Sequence, residues 1–283
     1  MSRSPSMTPM RRRFAAVLLL LASTALAHAG PDRRAVYGSD PAQRLDIYLP
    51  ARPQGAPVLV MVHGGAWMFG RPDAANVVDA KVAHWVRERG FVFVSVGYRL
   101  VPAVDVRTQA RDVARALAEV QRLAPAWGAD PGRLVLMGHS AGAHLVALLS
   151  ADPALATAEG ARRWRATVVL DSAALDTEDL MQRPHLRFYD RAFGADPALW
   201  HAVSPTARLV PGSLPMLLVC ASERRDDSCA QSSRFADRVK TAGGEADVLV
   251  QPLSHSQINA LLGEGSAYTA AVDRFIDARL AAR

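Results

Sequence analysis

The sequence of 283 residues predicts an α/β fold, in which helices cover both faces of a mostly parallel sheet. Short apolar runs bounded by turn residues alternate with longer segments whose apolar residues recur at helical spacing. Neither an internal repeat nor an interdomain linker interrupts this alternation. Half of the residues are apolar and 21% are charged, which excludes a disordered chain. A chain of this length buries roughly 70–75% of its unfolded surface, so it needs neither a metal nor disulfides to fold.

The predicted strands are short and largely apolar, and the continuous apolar run over 58–62 is typical of a strand buried on both faces of a sheet. They cover 45–49, 58–62, 91–96, 133–137, 167–170, 215–219 and 246–250. Helical spacing predicts helices over 75–89, 106–123, 141–149, 230–242 and 268–281. The stretch 173–213 breaks the alternation and is rich in aromatic, proline and charged residues. We expect it to be an insertion above the sheet that forms a lid or a pocket wall.

The N-terminal segment has the three parts of a secretory signal peptide. Arg3 and the arginines at 11–13 precede an apolar run over 14–27, and Ala27-His28-Ala29 is a small-x-small cleavage site. The run is shorter than the roughly 20 residues that span a bilayer. The sequence therefore predicts that 1–29 is cleaved and that 30–283 is a single exported domain, periplasmic or secreted, without a stable membrane anchor. Arginines 12 and 13 leave twin-arginine and general export both open.

The net charge of +6 does not predict a nucleic-acid partner. The chain has 33 basic and 27 acidic residues, and four of the arginines lie in the predicted signal peptide, which has no acidic residue. The remaining chain carries 29 basic and 27 acidic residues, a net charge of +2, and its arginines are scattered among acids. No basic tract with interleaved aromatic residues is present in the sequence, so nucleic-acid binding is excluded on charge distribution.

One glycine-rich motif predicts a nucleophile. Gly138-His139-Ser140-Ala141-Gly142 matches Gly-x-Ser-x-Gly, and it lies between a predicted strand and a predicted helix. In that context the motif is a nucleophile elbow, a strand-to-helix turn too tight for side chains at its flanks. The serine is held in a strained conformation that projects its oxygen above the sheet. Ser140 is therefore the candidate nucleophile.

A second glycine-rich motif follows the strand 58–62. It reads His63-Gly64-Gly65-Ala66-Trp67, and its glycines would let backbone N–H groups approach the oxyanion that acyl transfer creates. A third motif, Gly97-Tyr98-Arg99-Leu100, lies between these two.

In order and spacing the three motifs resemble those of α/β-hydrolase-fold serine esterases, over essentially all of 31–283. The branch they resemble is that of the carboxylesterases related to hormone-sensitive lipase and of small BD-FAE-like carboxylesterases. The resemblance implies that the N–H groups of Gly64, Gly65 and Ala141 form the oxyanion hole. Ala66 and Trp67 depart from the commoner triple glycine. This variant of the motif is more similar to that of small-substrate esterases and arylformamidases. The departure leaves open whether the Ala66 N–H replaces a glycine donor.

In this fold the chain order of a triad is Ser, then Asp or Glu, then His. His255 follows the last predicted strand in a short loop, so it is the candidate base. The carboxylate is expected after the strand 215–219, where Asp226 is the first candidate, Asp227 the second and Glu223 the third. His185 and His201 fall in the insertion and His144 on the helix after the serine, so none of them is assigned as a base.

The remaining candidates concern substrate contacts and the two cysteines. Trp67, His139 and Trp200 are candidate substrate-binding residues, although His139, like His63, is first expected to brace its loop. Cys220 and Cys229 are the only cysteines and flank the predicted carboxylate loop. In an oxidising compartment they can form a disulfide that holds this loop, and two free thiols are the alternative. The sequence shows no cluster of residues at metal-ligand spacing.

These features predict an exported serine hydrolase that needs neither a metal nor another cofactor and cleaves short-chain or aromatic carboxylic esters. Its partner would be a small-molecule ester, and the triad would act through an acyl-enzyme. An arylformamidase-like amide hydrolase is one alternative, because the same triad cleaves that bond. A non-catalytic binding protein of the same fold is the other. The sequence carries no signal for the oligomeric state.

Overall fold

An eight-stranded sheet forms the centre of the molecule in a computed structural model that describes residue 1, residues 30–224 and residues 226–282. The predicted signal peptide falls almost wholly outside the described residues. The strands are β1 (Arg33–Val36), β2 (Arg44–Tyr48), β3 (Ala56–Val62), β4 (Val92–Val96), β5 (Ala129–His139), β6 (Ala166–Leu170), β7 (Met216–Ala221) and β8 (Ala246–Gln251). Their order is β1-β2-β4-β3-β5-β6-β7-β8, and all pairs are parallel except β1 with β2 and β2 with β4.

Helices cover both faces of this sheet. They are α1 (Ala75–Lys81), which continues as a π-helix (Val82–Glu88), α2 (Val106–Leu123), which continues as a 3₁₀ turn (Ala124–Trp127), α3 (Ala141–Ala151), α4 (Ala154–Thr157), α5 (Thr177–Gln182), α6 (Arg187–Phe193), α7 (Pro197–Val203), α8 (Ser228–Thr241), α9 (His255–Ala260) and α10 (Ala267–Ala281). One apolar core joins the sheet to α2, α3 and α8, and the other joins it to α1, the π-helix and α10. The predicted α/β fold is thus confirmed.

Alternate residues of the central strands supply the two cores. In β3, Val58 and Val60 belong to the first core, whereas Leu59 and Met61 belong to the second, and all four are fully buried. A strand with both faces covered needs apolar residues at every position, which is why the continuous apolar run over 58–62 predicted β3 correctly. The strand that the sequence did not predict, β1, is mostly exposed, carries two arginines and lies at the sheet edge.

The insertion 173–213 folds into α5, α6 and α7 against the first core. Leu180, Tyr189 and Phe193 of this segment are buried in the same apolar cluster as α2 and α3. In the described part of the chain, no helix combines the length and the apolar composition that crossing a bilayer requires.

The loops after β3, β5, β6, β7 and β8 carry the chemically active side chains. Because parallel strands end at the same edge of a sheet, these five loops meet there.

Candidate active site

Ser140 lies on the predicted sharp turn between β5 and α3. Its φ of 57° and ψ of −116° are rare for a residue with a side chain, and its N–H donates to the Leu170 carbonyl at 2.9 Å. A Cβ on Gly138 would lie 2.4 Å from the Gly142 carbonyl oxygen, and a Cβ on Gly142 would lie 2.2 Å from the Val62 carbonyl oxygen. The motif therefore needs both glycines because backbone packs directly on backbone at this turn.

His255 is the first residue of α9, in the loop that follows β8. Ser254 caps this helix by accepting the Gln257 N–H, and the Gln257 side chain accepts the Ser254 N–H in return. His255 Nε2 lies 2.9 Å from Ser140 Oγ, and Nδ1 lies 2.6 Å from Asp171 Oδ2. With the hydrogen on Nδ1 given to Asp171, Nε2 is free to accept the serine hydroxyl.

Asp171 is the carboxylate that the structure brings to His255. It follows β6 directly, has a φ of 58°, and its side chain is fully buried. Its Oδ1 accepts the Ala221 N–H at 3.0 Å, and its Oδ2 also accepts Arg224 Nη1 at 3.0 Å. Burial alone would raise the pKa of Asp171. The His255 hydrogen bond, the Arg224 charge and the Ala221 N–H outweigh burial and lower the pKa to about 2.

The three carboxylates predicted after β7 do not meet His255. Asp226 instead accepts both Nε, at 2.7 Å, and Nη2 of Arg224. Asp227 is exposed and precedes α8, and Glu223 is exposed. The expectation that Asp226 contacts the base was wrong because a cation, Arg224, stands between the two.

Asp171 could have been found from the sequence by one further rule. It comes directly after the predicted strand 167–170, and the ends of adjacent parallel strands share one edge of the sheet. Every acid that ends a strand next to the nucleophile strand is therefore a candidate, whereas the order expected from the resemblance pointed only to the loop after β7.

The Gly64-Gly65 loop lies against the nucleophile. A Cβ on Gly64 would lie 2.8 Å from the His139 carbonyl oxygen and 2.9 Å from Ser140 Cβ, so only glycine lets the loop approach this closely. The loop turns back through Gly65, with a φ of 128°, and then through Ala66 and Trp67, with φ of 51° and 62°. Ala66 thus adopts left-handed backbone where the commoner motif has its third glycine, and Trp67 follows in the same conformation.

Two of the motif histidines hydrogen-bond to backbone carbonyls, the bracing arrangement that the sequence suggested. His63 Nδ1 donates to the Gly64 carbonyl at 2.8 Å, and the His63 ring stacks on Tyr98 at 4.5 Å. His139 Nε2 donates to the His255 carbonyl at 3.0 Å, and the two rings lie 4.6 Å apart. Burial lowers the pKa of His63 to about 4 and that of His139 to about 3, so both rings are neutral near pH 7.

His144, on α3, links the loop that contains Gly64 and Trp67 to the insertion 173–213. Its Nδ1 accepts Trp67 Nε1 at 3.2 Å, and its Nε2 donates to the Val203 carbonyl at 2.7 Å. The Trp67 ring also packs edge-on against Phe193 at 4.7 Å. Burial lowers the pKa of His144 to about 4, so the ring stays neutral and can both donate and accept.

A cavity of about 630 Å³ opens in front of Ser140. Its wall includes Trp67, which is 3% exposed, and His139, two of the three candidate substrate contacts. Leu186, which is 57% exposed, and Phe188 of the insertion form an apolar rim. Trp200, the third candidate, is not part of this wall. Its Nε1 donates to the Phe193 and Gly194 carbonyls within the insertion. Among the described residues, no group of three potential metal ligands clusters.

Cys220 and Cys229 are joined by a disulfide. Cys220 is the second-to-last residue of β7 and is fully buried, whereas Cys229 lies in the first turn of α8. The bond closes a short loop that contains Arg224 and Asp226. A covalent ring thus carries the cation that contacts Asp171.

The chain is similar to one protein family and to several curated proteins. The family model BD-FAE matches residues 45–238. The isoprenylcysteine alpha-carbonyl methylesterase ICME of Arabidopsis thaliana is 28% identical over 236 residues, which cover 77% of this chain and 54% of that protein. Esterase LipC of Mycobacterium tuberculosis is 30% identical over 225 residues, which cover 74% of this chain and 55% of LipC. The chain thus spans about half the length of these curated relatives.

A further curated protein matches a shorter part of this chain, and two solved structures superpose on most of it. The kynurenine formamidase of Danio rerio is 34% identical over 119 residues, 41% of this chain and 38% of that protein. A thermophilic esterase of Thermogutta terrifontis superposes with a TM-score of 0.72 at 23% identity, covering 90% of this chain and 97% of that one. A truncated carbohydrate esterase from gut microbiota reaches 0.73 at 18% identity, covering 90% of this chain and all of that chain. At these identities the structural matches establish the α/β-hydrolase fold.

Proposed function

This chain belongs to the BD-FAE family, and from that premise we propose that it hydrolyses short-chain or aromatic carboxylic esters through Ser140, His255 and Asp171. The observation that carries the proposal is one continuous set of contacts. Ser140 Oγ lies 2.9 Å from His255 Nε2, and His255 Nδ1 lies 2.6 Å from the buried Asp171 carboxylate. A nucleophile, a base and a group that orients the base are the three parts that acyl transfer through serine needs.

In the proposed reaction His255 takes the proton of Ser140 as its oxygen attacks the ester carbonyl. The bond from carbonyl carbon to alkoxy oxygen then breaks, and protonated His255 returns the proton to the departing alcohol. Water attacks the acyl-enzyme with His255 again as the base, which releases the acid and restores Ser140. Asp171 remains ionised throughout, holds the hydrogen on Nδ1 and stabilises the imidazolium.

The oxyanion would be held by the backbone N–H groups of Gly64, Gly65 and Ala141. Gly64 approaches Ser140 closely enough to support this role, and the Ala141 N–H lies at the start of α3, where the first N–H groups of a helix have no partner within it. Removing one such donor typically costs a factor of 10²–10³ in kcat. The left-handed backbone at Ala66 turns the loop sharply after these glycines.

The size and lining of the cavity support a small substrate. Its volume of about 630 Å³ accommodates an ester of modest size, and its rim includes aromatic and aliphatic side chains. Because the relatives are named esterases and methylesterases, an ester is the first substrate to test. The shorter match to kynurenine formamidase makes an aryl formamide the second substrate to test.

The test compares wild-type protein with Ser140→Ala on p-nitrophenyl acetate, p-nitrophenyl butyrate and N-formylkynurenine. We expect ester turnover that Ser140→Ala reduces by at least about 10³-fold, together with fluorophosphonate labelling that the same variant abolishes. Turnover of N-formylkynurenine alone would instead identify a formamidase. Absence of both turnover and labelling in a folded protein would identify a binding protein, and full activity in Ser140→Ala would refute the assignment of the nucleophile.

We further propose that the protein is exported and that cleavage after Ala29 releases the mature chain. The basic, apolar and small-residue parts of 1–29 support this, and a disulfide between Cys220 and Cys229 suits an oxidising compartment. N-terminal sequencing of protein recovered from the periplasm and the medium tests the cleavage site. Retention of the intact N-terminus in the cytoplasm would contradict it.

A further inference from the structure

Arg224 occupies the place, just after β7, where the sequence predicted a carboxylate. Its side chain is 14% exposed, and Nε and Nη2 donate to the two oxygens of Asp226. Nη1 donates at 3.0 Å both to the main-chain carbonyl of Asp171 and to its Oδ2. The guanidinium is therefore fixed between two carboxylates, and only one of these, Asp171, touches His255.

Arg224 and His255 share one acceptor oxygen. Asp171 Oδ2 lies 2.6 Å from His255 Nδ1 and 3.0 Å from Arg224 Nη1, and the two nitrogens lie 2.9 Å apart. A guanidinium has no lone pair to offer, and Nδ1 already carries the hydrogen that it gives to Asp171. The contact between the nitrogens is thus the close approach of two donors, which places a positive charge against the imidazole ring.

The charge of Arg224 matters most when the ring becomes charged. Before His255 takes a proton in the proposed reaction, the nearby guanidinium faces an uncharged ring and costs little. After His255 takes the Ser140 proton, two cations lie side by side, with Asp171 between them and Asp226 on the far side of the guanidinium. A nearby like charge disfavours the charged form of a group, and the carboxylate of Asp226 offsets part of that effect.

We propose that Arg224 is a positioning residue that holds the Asp171 carboxylate toward His255 and opposes protonation of His255, with Asp226 limiting the second effect. The inference rests on the proposed function, because it requires His255 to act as the base. In this inference the loop after β7 does not supply the carboxylate that contacts His255. It supplies the arginine that adjusts how readily His255 is protonated. It also gives Asp226 a role at the site through Arg224.

Other polar groups near His255 remain the same in all the variants proposed below. His139 lies against the ring from β5, at 4.6 Å between centroids. Lys81 of α1 is fully buried and donates to the Asn259 carbonyl of α9, the helix that His255 begins. Tyr189 of α6 lines the same cavity and is buried. None of these three groups is substituted in the variants, but Tyr189 also hydrogen-bonds to Arg224, so only His139 and Lys81 keep their own contacts in every variant.

The test is the pH dependence of kcat/KM for p-nitrophenyl acetate, since its acid limb reports protonation of the base in the free enzyme. Arg224→Met removes the cation, so the imidazolium is stabilised and the acid limb should move to higher pH by about one pH unit. Asp226→Asn removes one of the two carboxylates that offset the charge of Arg224, so the acid limb should move to lower pH. A side chain with a purely structural role would not shift the limb in opposite directions in the two variants.

Two further variants separate charge from geometry. Arg224→Lys keeps the charge but cannot bind both carboxylates, so the midpoint should stay near that of the wild type while kcat falls. Arg208→Met is the matched control, because Arg208 also pairs with a buried carboxylate, that of Asp152, but is not part of the active-site cavity wall. It should leave the pH profile unchanged. Thermal melting of every variant verifies that the folded protein is being measured.

The outcomes distinguish this inference from the proposed function. Opposite shifts for Arg224→Met and Asp226→Asn support the inference. An unmoved acid limb in both, or shifts in the same direction, would overturn it while ester hydrolysis by the wild type still stands. A wild-type protein that neither hydrolyses esters nor reacts with a fluorophosphonate would overturn the proposed function, and this inference with it.

Discussion

Asp171 and Asp226 are carboxylates of one site whose surroundings differ completely. Asp171 is fully buried and receives hydrogens from a backbone N–H, a histidine and an arginine. Asp226 is 31% exposed and pairs with the guanidinium of Arg224. A buried carboxylate is stable as an anion only when such donors surround it, and these donors also fix its direction. Asp171 is therefore the carboxylate that can fix the tautomer of His255.

At Asp171, replacement by asparagine should lower kcat by about 10³–10⁴-fold, because the amide no longer favours the tautomer that leaves Nε2 free. The measurement is steady-state hydrolysis of p-nitrophenyl acetate near pH 7.5. Asp227→Asn is the matched control, since Asp227 is exposed and its left-handed backbone suits asparagine, and its kcat should stay within about twofold of the wild type. A large loss in Asp227→Asn with Asp171→Asn spared would reverse the assignment.

Among the elements, the loop between β7 and α8 is the one whose shape depends on a covalent bond. The Cys220–Cys229 disulfide closes this loop, and the loop carries Arg224 to Asp171. Constraining the unfolded chain over a loop of this size stabilises the folded state by about 2–3 kcal/mol in the entropic model. The same constraint holds the Arg224 guanidinium beside Asp171, the residue that follows β6.

Replacing both Cys220 and Cys229 by serine should therefore lower Tm by about 5–10 °C. Differential scanning calorimetry measures the change, and thiol titration of the denatured, unreduced wild type should find no free thiol. A double variant that melts with the wild type would show that the bond adds no stability. Two free thiols in wild-type protein purified from an oxidising compartment would exclude the bond itself.

The elements that the sequence predicted well are those whose signal is local. Short, largely apolar segments predicted β2 to β8, and the glycine motif between a strand and a helix predicted the turn at Ser140. The edge strand β1 was missed because its exposed arginines give no apolar pattern. The π-helical continuation of α1 was read as ordinary helix, since the spacing of its apolar residues does not distinguish the two.

The carboxylate was missed for a different reason. Its role depends on which strand ends meet and on Arg224 filling the space after β7, and both are properties of the tertiary structure. His255 could be predicted because one histidine follows the last predicted strand. Asp171 was available to the same logic, but the order expected from the resemblance restricted the search to residues 223–227.

For the molecule as a whole, three buried neutral histidines connect stability to pH. Burial lowers the pKa of His63 and His144 to about 4 and that of His139 to about 3, against 6.5 for an ordinary histidine. As pH falls below 6.5 the unfolded chain binds protons that the folded chain does not, so stability is lost progressively until pH falls through the folded pKa values. Above pH 6.5 this contribution is fully present.

The free energy of unfolding should therefore drop between pH 6.5 and pH 4, each histidine contributing a slope of about 1.4 kcal/mol per pH unit. Urea unfolding followed by circular dichroism at pH 7, 6 and 5 measures it. His144→Gln should reduce the slope by about one proton, although it also lowers overall stability by removing the hydrogen bonds to Trp67 and Val203. His201→Gln changes an exposed ring and should leave the slope unchanged, so an equal effect of the two variants would contradict this account.

The placement of the base after the last strand also determines when the site can work during synthesis. Ser140 and His255 are 115 residues apart in sequence, and Asp171 and His255 are 84 apart. A nascent chain that has already formed the Ser140 turn and the Gly64 loop still has a serine with no base. Only when β8 pairs with β7 and α9 folds behind it does the hydroxyl become nucleophilic. On the proposed mechanism, the growing polypeptide therefore stays inert as a hydrolase until the residues of α9 have left the ribosome.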